Sequence, residues 1–457
     1  MRVFKQTIIL LLVFAAIAGF YFLYLKPHEE KKKKIQEDEK KLINIDQEKI
    51  REIWITKQDG EKIGFRKESK NRWSIIYPFL ADADRFSVNP IASRYSSIEI
   101  ERLINEAGDF APYGLDKPRF IVELKTDEQS FSIRIGNKSQ VGYSVYVQKE
   151  GDNRVFLVSA AIEASIDKPF SDFRERRPMD FITTDVKKLI ISRGDKKFLF
   201  ERQETNDWVI LFPDLTTFAE ADDSKIRDLL YKISGIKVKE FISDVTEPKY
   251  GLDIPDMTLN VYVSSKDQEL EEFSIHLKFA DGQVYAKKPD KPNIFSVEVD
   301  KSIQEPILSE NFRNRQVIKF YVWRVKEISI ETPTESRIIQ RDPVDTEKWY
   351  LVLSGGEKKN LETSKVKESL SKLSDISVLK FLGDNVDVAE FVKNPIFRVR
   401  INVEGRAEPY YLLLGEKSSD GGVSGIVGGL MDKKSVYLFP SDITSIIQAI
   451  KDIQPVN

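Results

Sequence analysis

The sequence predicts an α+β protein: an N-terminal transmembrane helix followed by three tandem copies of a mainly antiparallel β domain, each with one principal helix. Three observations predict it. The segments Ala81 to Ile104, Ala219 to Ile242 and Lys359 to Leu382 align without a gap, so Val88, Ile226 and Val366 share a column, as do Tyr95, Ile233 and Leu373. Outside these blocks the apolar residues recur with the period of two that marks half-buried strands. A single uncharged apolar run, Thr7 to Leu25, precedes everything else.

That run is close to the roughly 20 residues needed to cross a bilayer. Arg2 and Lys5 precede it, and Phe20, Tyr21, Phe22, Leu23, Tyr24 and Leu25 close it with the aromatic character of a membrane interface. Ala16, Ile17 and Ala18 also form the small-x-small pattern of a cleavable signal. The apolar continuation past Ala18 favours an uncleaved anchor. Lys26 and Lys31 to Lys34 place positive charge after the span, which read literally holds the body in the cytoplasm. Interleaved Glu29, Glu30, Glu37, Asp38 and Glu39 and the large following body favour an exported one. Between Glu29 and Lys41 glutamate and lysine sit at helical spacing, so this stalk is either a short helix or a solvated linker.

The copies start 138 and 140 residues apart, at Ala81, Ala219 and Lys359. These are domain-sized steps, longer than the roughly 20 to 50 residues of solenoid repeats. The division that follows is 1–45 for anchor and charged stalk, then 46–177, 178–316 and 317–457 for the three copies, the last divergent. Each copy opens with a strand: Ile50, Ile53 and Ile55; Val186, Leu189 and Ile191; Val325, Ile328 and Ile330. Another strand starts at Trp73, Trp208 or Trp349. A repeated tryptophan is a ligand platform or a packed core aromatic, and sheet periodicity favours the core.

The aligned block supplies the helix. Asp222 or Asp223 caps a run to Ser234 whose Ile226, Leu229, Leu230 and Ile233 share one face, with Gly235 as the stop. Val366, Leu370 and Leu373 repeat the face in the third copy. In the first, Pro90 interrupts it, so Asn89 is expected to cap a shorter helix beginning at Pro90. Asp82 and Asp84 have the spacing of calcium ligands but lack companion oxygens, which makes them capping residues. After the helix comes a turn, Pro112-Tyr113-Gly114-Leu115-Asp116-Lys117-Pro118 and Lys249-Tyr250-Gly251-Leu252-Asp253-Ile254-Pro255. Glycine supplies a positive φ there and leucine anchors the turn in the core. The third copy, Glu390 to Pro395, lacks that glycine and must turn differently.

Composition narrows the function. Basic and acidic residues number 71 and 73 and are well mixed, which gives no footprint for nucleic acid. Cysteine is absent and histidine is limited to His28 and His276, so thiol chemistry and histidine catalysis have almost no raw material. Gly415-Glu416-Lys417-Ser418 lacks the glycine-lysine pair of a phosphate loop, and with Gly136-Asn137-Lys138-Ser139 it reads as a strand-end turn. Gly421 to Gly429 reads as a mobile loop.

The anchor, tryptophan strand, capped helix, Tyr113 to Pro118 and Tyr250 to Pro255 turns, and the Phe173-Arg174 and Phe312-Arg313 junctions resemble a bacterial domain-of-unknown-function family. Its members are encoded beside gliding-motility-type ABC transporters and their membrane-anchored auxiliary subunits. The resemblance implies a single-pass protein of the bacterial inner membrane with a periplasmic body. It implies an accessory or scaffold subunit partnered by an ABC permease and auxiliary membrane subunits, with no catalytic, cofactor or metal residues. The alternative is an extracytoplasmic binding module for a glycan or other envelope polymer; a two-carboxylate hydrolase comes third. Phe173-Arg174-Glu175-Arg176-Arg177 and Phe312-Arg313-Asn314-Arg315-Gln316 each lie thirteen residues before the next opening strand. Arg174, Arg176, Arg313 and Arg315 are therefore expected to pair with acidic groups or helix C-termini of the adjoining copy, or else to be solvated linkers. The third copy ends at Ile453 to Asn457 without such a segment.

Overall fold

Three nine-stranded antiparallel sheets carry the chain. Counting the strands of each sheet in chain order, their spatial order is 4-3-2-1-6-7-8-9-5 in all three. Strand 1 is Glu52–Lys57, Val186–Arg193 or Val325–Glu331, and it pairs with strand 6, Phe120–Lys125, Met257–Ser264 or Phe397–Val403. The helix follows strand 4, and strand 5 then takes the opposite edge of the sheet. The computed structural model describes residues 40–69, 72–106, 109–140, 142–215, 218–264, 270–420 and 422–456, together with Tyr21 and Lys26. The expected span Thr7 to Leu25, apart from Tyr21, and His28 lie outside them. Among the described residues no helix is long and apolar enough to cross a membrane.

The elements follow from local chemistry. Met257–Ser264 buries every second residue, as a one-faced strand must. Helix α1 spans Arg85–Ser96, α2 Asp223–Ser234 and α3 Thr363–Ser374. Asp222 caps α2 by accepting from the Ser224 and Lys225 amides, and Gly235 ends it. Ile226, Leu229, Leu230 and Ile233 are buried, as are Val366, Leu370 and Leu373 of α3. Glu362 at the N-cap of α3 makes no side-chain cap bond. In the third sheet a C-terminal helix, Asp442–Lys451, adds Ile443, Ile447 and Ile450 to the core.

Five expectations are corrected. Helix α1 does not begin at Pro90: it starts at Arg85, capped by Asp84 through the Phe86 amide, and Pro90 lies inside it. An internal proline costs about 3 kcal/mol. Burial of Val88, Ile91 and Tyr95, each worth roughly 1.5 to 3 kcal/mol, outweighs that cost. Asn89 is engaged elsewhere, accepting from Trp73 Nε1 at 2.8 Å. The folded body also starts earlier than residue 46, because Lys41–Asn44 pairs with Ser97–Glu99 and buries Leu42 and Ile43.

The third correction concerns Gly136 and Gly415, which sit within strands Ser130–Lys138 and Tyr410–Asp420, beside register shifts of a bulge. A Cβ at Gly136 would lie 2.1 Å from the Tyr113 carbonyl, so glycine lets the turn approach the strand. Fourth, the expected loop Gly421 to Gly429 is a strand over most of its length: Val423–Leu430 is the eighth strand of its sheet, paired on both sides, while Gly421 lies outside the described residues. Its glycines answer to close packing. A Cβ at Gly425 would lie 2.3 Å from the Phe439 carbonyl, and one at Gly429 2.2 Å from Val388 Cγ1. Fifth, the third sheet does receive a connector-like segment. Pro455 bridges Leu361, and the Val456 amide donates to the Asn360 carbonyl at 2.9 Å.

The chain divides into two compact units whose border runs through the stretch carrying the second sheet. One comprises 1–178, 237–254 and 275–298; the other comprises 179–236, 255–274 and 299–457. The Gly425 packing predicts that Gly425→Ala destabilises the second unit by about 1–3 kcal/mol, the usual cost of overpacking. Urea unfolding checks this, and an unchanged midpoint contradicts the close approach.

Candidate functional site

The two linkers between sheets build the same cluster twice. In the first unit, residues 173–175 run antiparallel to the edge strand Ala81–Ala83. Arg174 bridges Ala83, the Glu175 amide donates to the Asp82 carbonyl at 3.0 Å, and the Asp84 amide donates to the Phe173 carbonyl at 2.8 Å. The second unit repeats these contacts with Arg313 and Ala221, Asn314 and Glu220, and Phe312 and Asp222. Two residues on, the Arg176 carbonyl accepts from the Val238 amide, and the Arg315 carbonyl accepts from Val378. Backbone pairing on both sides thus fixes where each arginine emerges.

Arg174 lies over the Phe241 ring, 3.7 Å from its centre, and within 2.8 Å of the Asp244 carboxylate. Arg313 lies 3.7 Å from the Phe381 ring centre and donates a two-pronged bond to Asp384, 2.8 Å on each arm. Each is a desolvated guanidinium stacked on an aromatic face and neutralised by a carboxylate. Stacking of this kind contributes roughly 0.5 to 2 kcal/mol. Burial lowers the Arg174 pKa, and Asp244 works against that fall. Burial alone would raise the Asp384 carboxyl, but hydrogen bonds and positive charge from Arg313 outweigh it and hold the group below its ordinary value. The other two arginines make different contacts. Arg176 approaches Phe241 at 5.3 Å, and Arg315 donates to the Leu379 carbonyl at 2.6 Å.

Beside each arginine is a cavity. At the first junction it is about 20 Å³, closed by a Lys288 to Asp82 ion pair of 2.5 Å. At the second it is about 260 Å³, bordered by Phe218, Glu220, Arg313, Asp384, Lys433 and Tyr437. Lys433 pairs with Glu220 at 3.1 Å. Burial pushes the Tyr437 phenol up to about 12, so it stays protonated at neutral pH.

The other sequence-derived positions do not line these cavities. Trp73, Trp208 and Trp349 are buried core residues on their strands. Gly114 and Gly251 have φ of 68° and 66°, Leu115 and Leu252 are buried, and Tyr113 and Tyr250 meet Tyr146 and Tyr285 with ring centres 5.0 and 5.1 Å apart. In the third sheet the turn is a short helix, Val388–Phe391, capped by Asp387. Burial and the Lys287 charge push the His276 imidazole below its ordinary value.

Sequence reasoning placed the arginines at the junctions but missed Phe241, Phe381, Asp244 and Asp384. A signal was present: in the gap-free frame Phe241 and Phe381 share a column with Leu103, so the ring occurs only where an arginine linker precedes. Also missed was a buried Glu163, which accepts a two-pronged bond from Arg119 at 2.7 and 2.6 Å.

The family described as Domain of unknown function (DUF4340) matches residues 73–248 and 214–395, which together span more than half of the chain. The chain belongs to that family. The first DUF4340 segment contains Arg174, Phe241 and Asp244; the second contains Arg313, Phe381 and Asp384. No curated protein matches. Among solved structures, a DNA polymerase sliding clamp from Pseudomonas aeruginosa is similar at 9% identity over 87% of this chain and 93% of that one, with a TM-score of 0.15. The DNA polymerase III beta subunit from Thermotoga maritima is similar at 9% identity over 85% and 90%, with a TM-score of 0.14. Neither likeness carries an argument about this chain.

The Asp384 environment sets a pH dependence. Its folded pKa is depressed below the ordinary 3.8, so the stability it contributes is present above that value and lost as pH falls through the folded one. Asp384→Asn is expected to lower stability at pH 7 and to flatten the acid limb below about pH 4 relative to the parent. Urea midpoints across that range check it, and parallel profiles for the two proteins contradict it.

Proposed function

We propose that the chain is a non-catalytic, membrane-anchored accessory or scaffold subunit of a bacterial envelope ABC transport or gliding-type system, acting through protein–protein contacts. In this reading a transmembrane helix at Thr7 to Leu25 holds three copies of one domain at the inner membrane, with the body in the periplasm. The observation that carries it is the duplicated cluster of Arg174, Phe241 and Asp244 and of Arg313, Phe381 and Asp384. The charged groups built alike at both junctions are consumed by one another, each arginine by a ring and a carboxylate. That arrangement serves to join domains and commits the groups to one another. The uncharged apolar run and the family resemblance support the membrane and transporter side of the proposal.

Extraction of the native full-length protein in mild detergent tests the partner. An ABC permease is expected to co-purify, and replacing Thr7 to Leu25 by an unrelated span is expected to release it. Recovery of the parent protein alone and monodisperse contradicts the proposal.

A further inference from the structure

The two junctions form a comparison within one molecule. Glu220, Arg313, Phe381 and Tyr437 line the second cavity as Asp82, Arg174, Phe241 and Phe295 line the first. Yet the first retains about 20 Å³ and the second about 260 Å³. The difference has a side-chain origin. At the first junction Phe79 lies 5.2 Å from the Arg174 guanidinium and meets Phe170 edge-on at 5.3 Å, so two rings fill the space. Aligned with Phe170 is Ser309, a buried small residue bonded to Asp214.

The second cavity is polar but electrically cancelled. Arg313 is held by Asp384 on both arms, and Lys433 by Glu220. An anion entering would meet two carboxylates, and a cation would meet an arginine and a lysine that are already paired. What remains are the further hydrogen-bonding positions of these paired groups; Tyr437 borders the space, and the Ser435 hydroxyl already donates to Asp384. Phe218, half-exposed, adds an apolar face. Small-molecule sites combine apolar walls with a few placed polar groups, and those for drug-sized ligands run to roughly 300–1,000 Å³. A space just below that range admits one ring.

We propose that the second-junction cavity is a binding site for a neutral polyhydroxylated ring, a monosaccharide unit, whose hydroxyls meet the paired charges and whose apolar face lies on Phe218. The site is independent of the accessory role, since it needs neither the anchor nor a permease.

Saturation-transfer NMR on the full chain in detergent micelles, with glucose, galactose and N-acetylglucosamine as probes and inorganic phosphate and glycine as controls, tests it. At least one saccharide is expected to receive saturation and the two controls none. Phe218→Ala is expected to weaken saccharide binding by about tenfold, the scale of losing one aromatic face, and Glu220→Gln to weaken it as well. Leu80→Ala, the aligned position at the filled first junction, is expected to leave binding unchanged. Both second-junction variants should keep the parent urea midpoint, because both positions are surface-accessible. Absence of saturation for every saccharide, preference for phosphate or glycine, or binding that survives both second-junction substitutions overturns the proposal.

Discussion

A guanidinium laid on a phenylalanine ring and paired to a carboxylate is the constraint on which the arrangement of this chain depends. The linker backbone can only bridge the edge strand in one register, as Arg174 does on Ala83 and Arg313 on Ala221. That register commits the arginine side chain to a site where burial penalises its charge. A ring on the following sheet's fifth strand and a carboxylate at or just past the end of that strand compensate it, at Phe241 and Asp244 and again at Phe381 and Asp384. Removing one partner of such a pair leaves an uncompensated charge, typically a cost of about 3–5 kcal/mol. Position, burial and charge pairing are therefore one requirement rather than three.

This requirement explains why the compact units do not coincide with the sheets. Residues 237–254 and 275–298 group with the first sheet, while 179–236 and 255–274 group with the third. Each unit thus encloses a whole junction. The two DUF4340 matches have the same phase: each begins inside one sheet's stretch and ends beyond the carboxylate of the next, so the arginine, ring and carboxylate stay together. A linker that merely tethered neighbours would leave the natural division at the linker itself.

Much of the fold was legible because it rests on local chemistry. The tryptophan strands, the α2 cap at Asp222 and stop at Gly235, and the positive-φ turns at Gly114 and Gly251 each follow from a few adjacent residues. Failures came where a distant group decided the outcome. Pro90 stays inside α1 because tertiary burial of Val88 and Tyr95 outweighs a lost hydrogen bond, and Asn89 is claimed by Trp73 sixteen residues away. Gly425 and Gly429 read as a loop because the carbonyl and side chain that exclude a Cβ belong to Phe439 and Val388, far along the chain. The arginines were visible as a pattern, whereas their carboxylates, some 70 residues on, were not. The second cavity was invisible for a related reason: the Phe79 and Phe170 rings that pack beside Arg174 meet only in three dimensions, and Ser309 stands where Phe170 would.

The central claim is that guanidinium, ring and carboxylate act as one unit, and a double-mutant cycle on Arg313 and Asp384 tests it most directly. Stability is measured by urea unfolding at pH 7 for Arg313→Ala, Asp384→Ala and the pair. Residues in one buried network couple by about 0.5–3 kcal/mol, whereas independent sites add to within about 0.5 kcal/mol. A coupling above about 1 kcal/mol is the predicted result. Additivity of the two substitutions would contradict it.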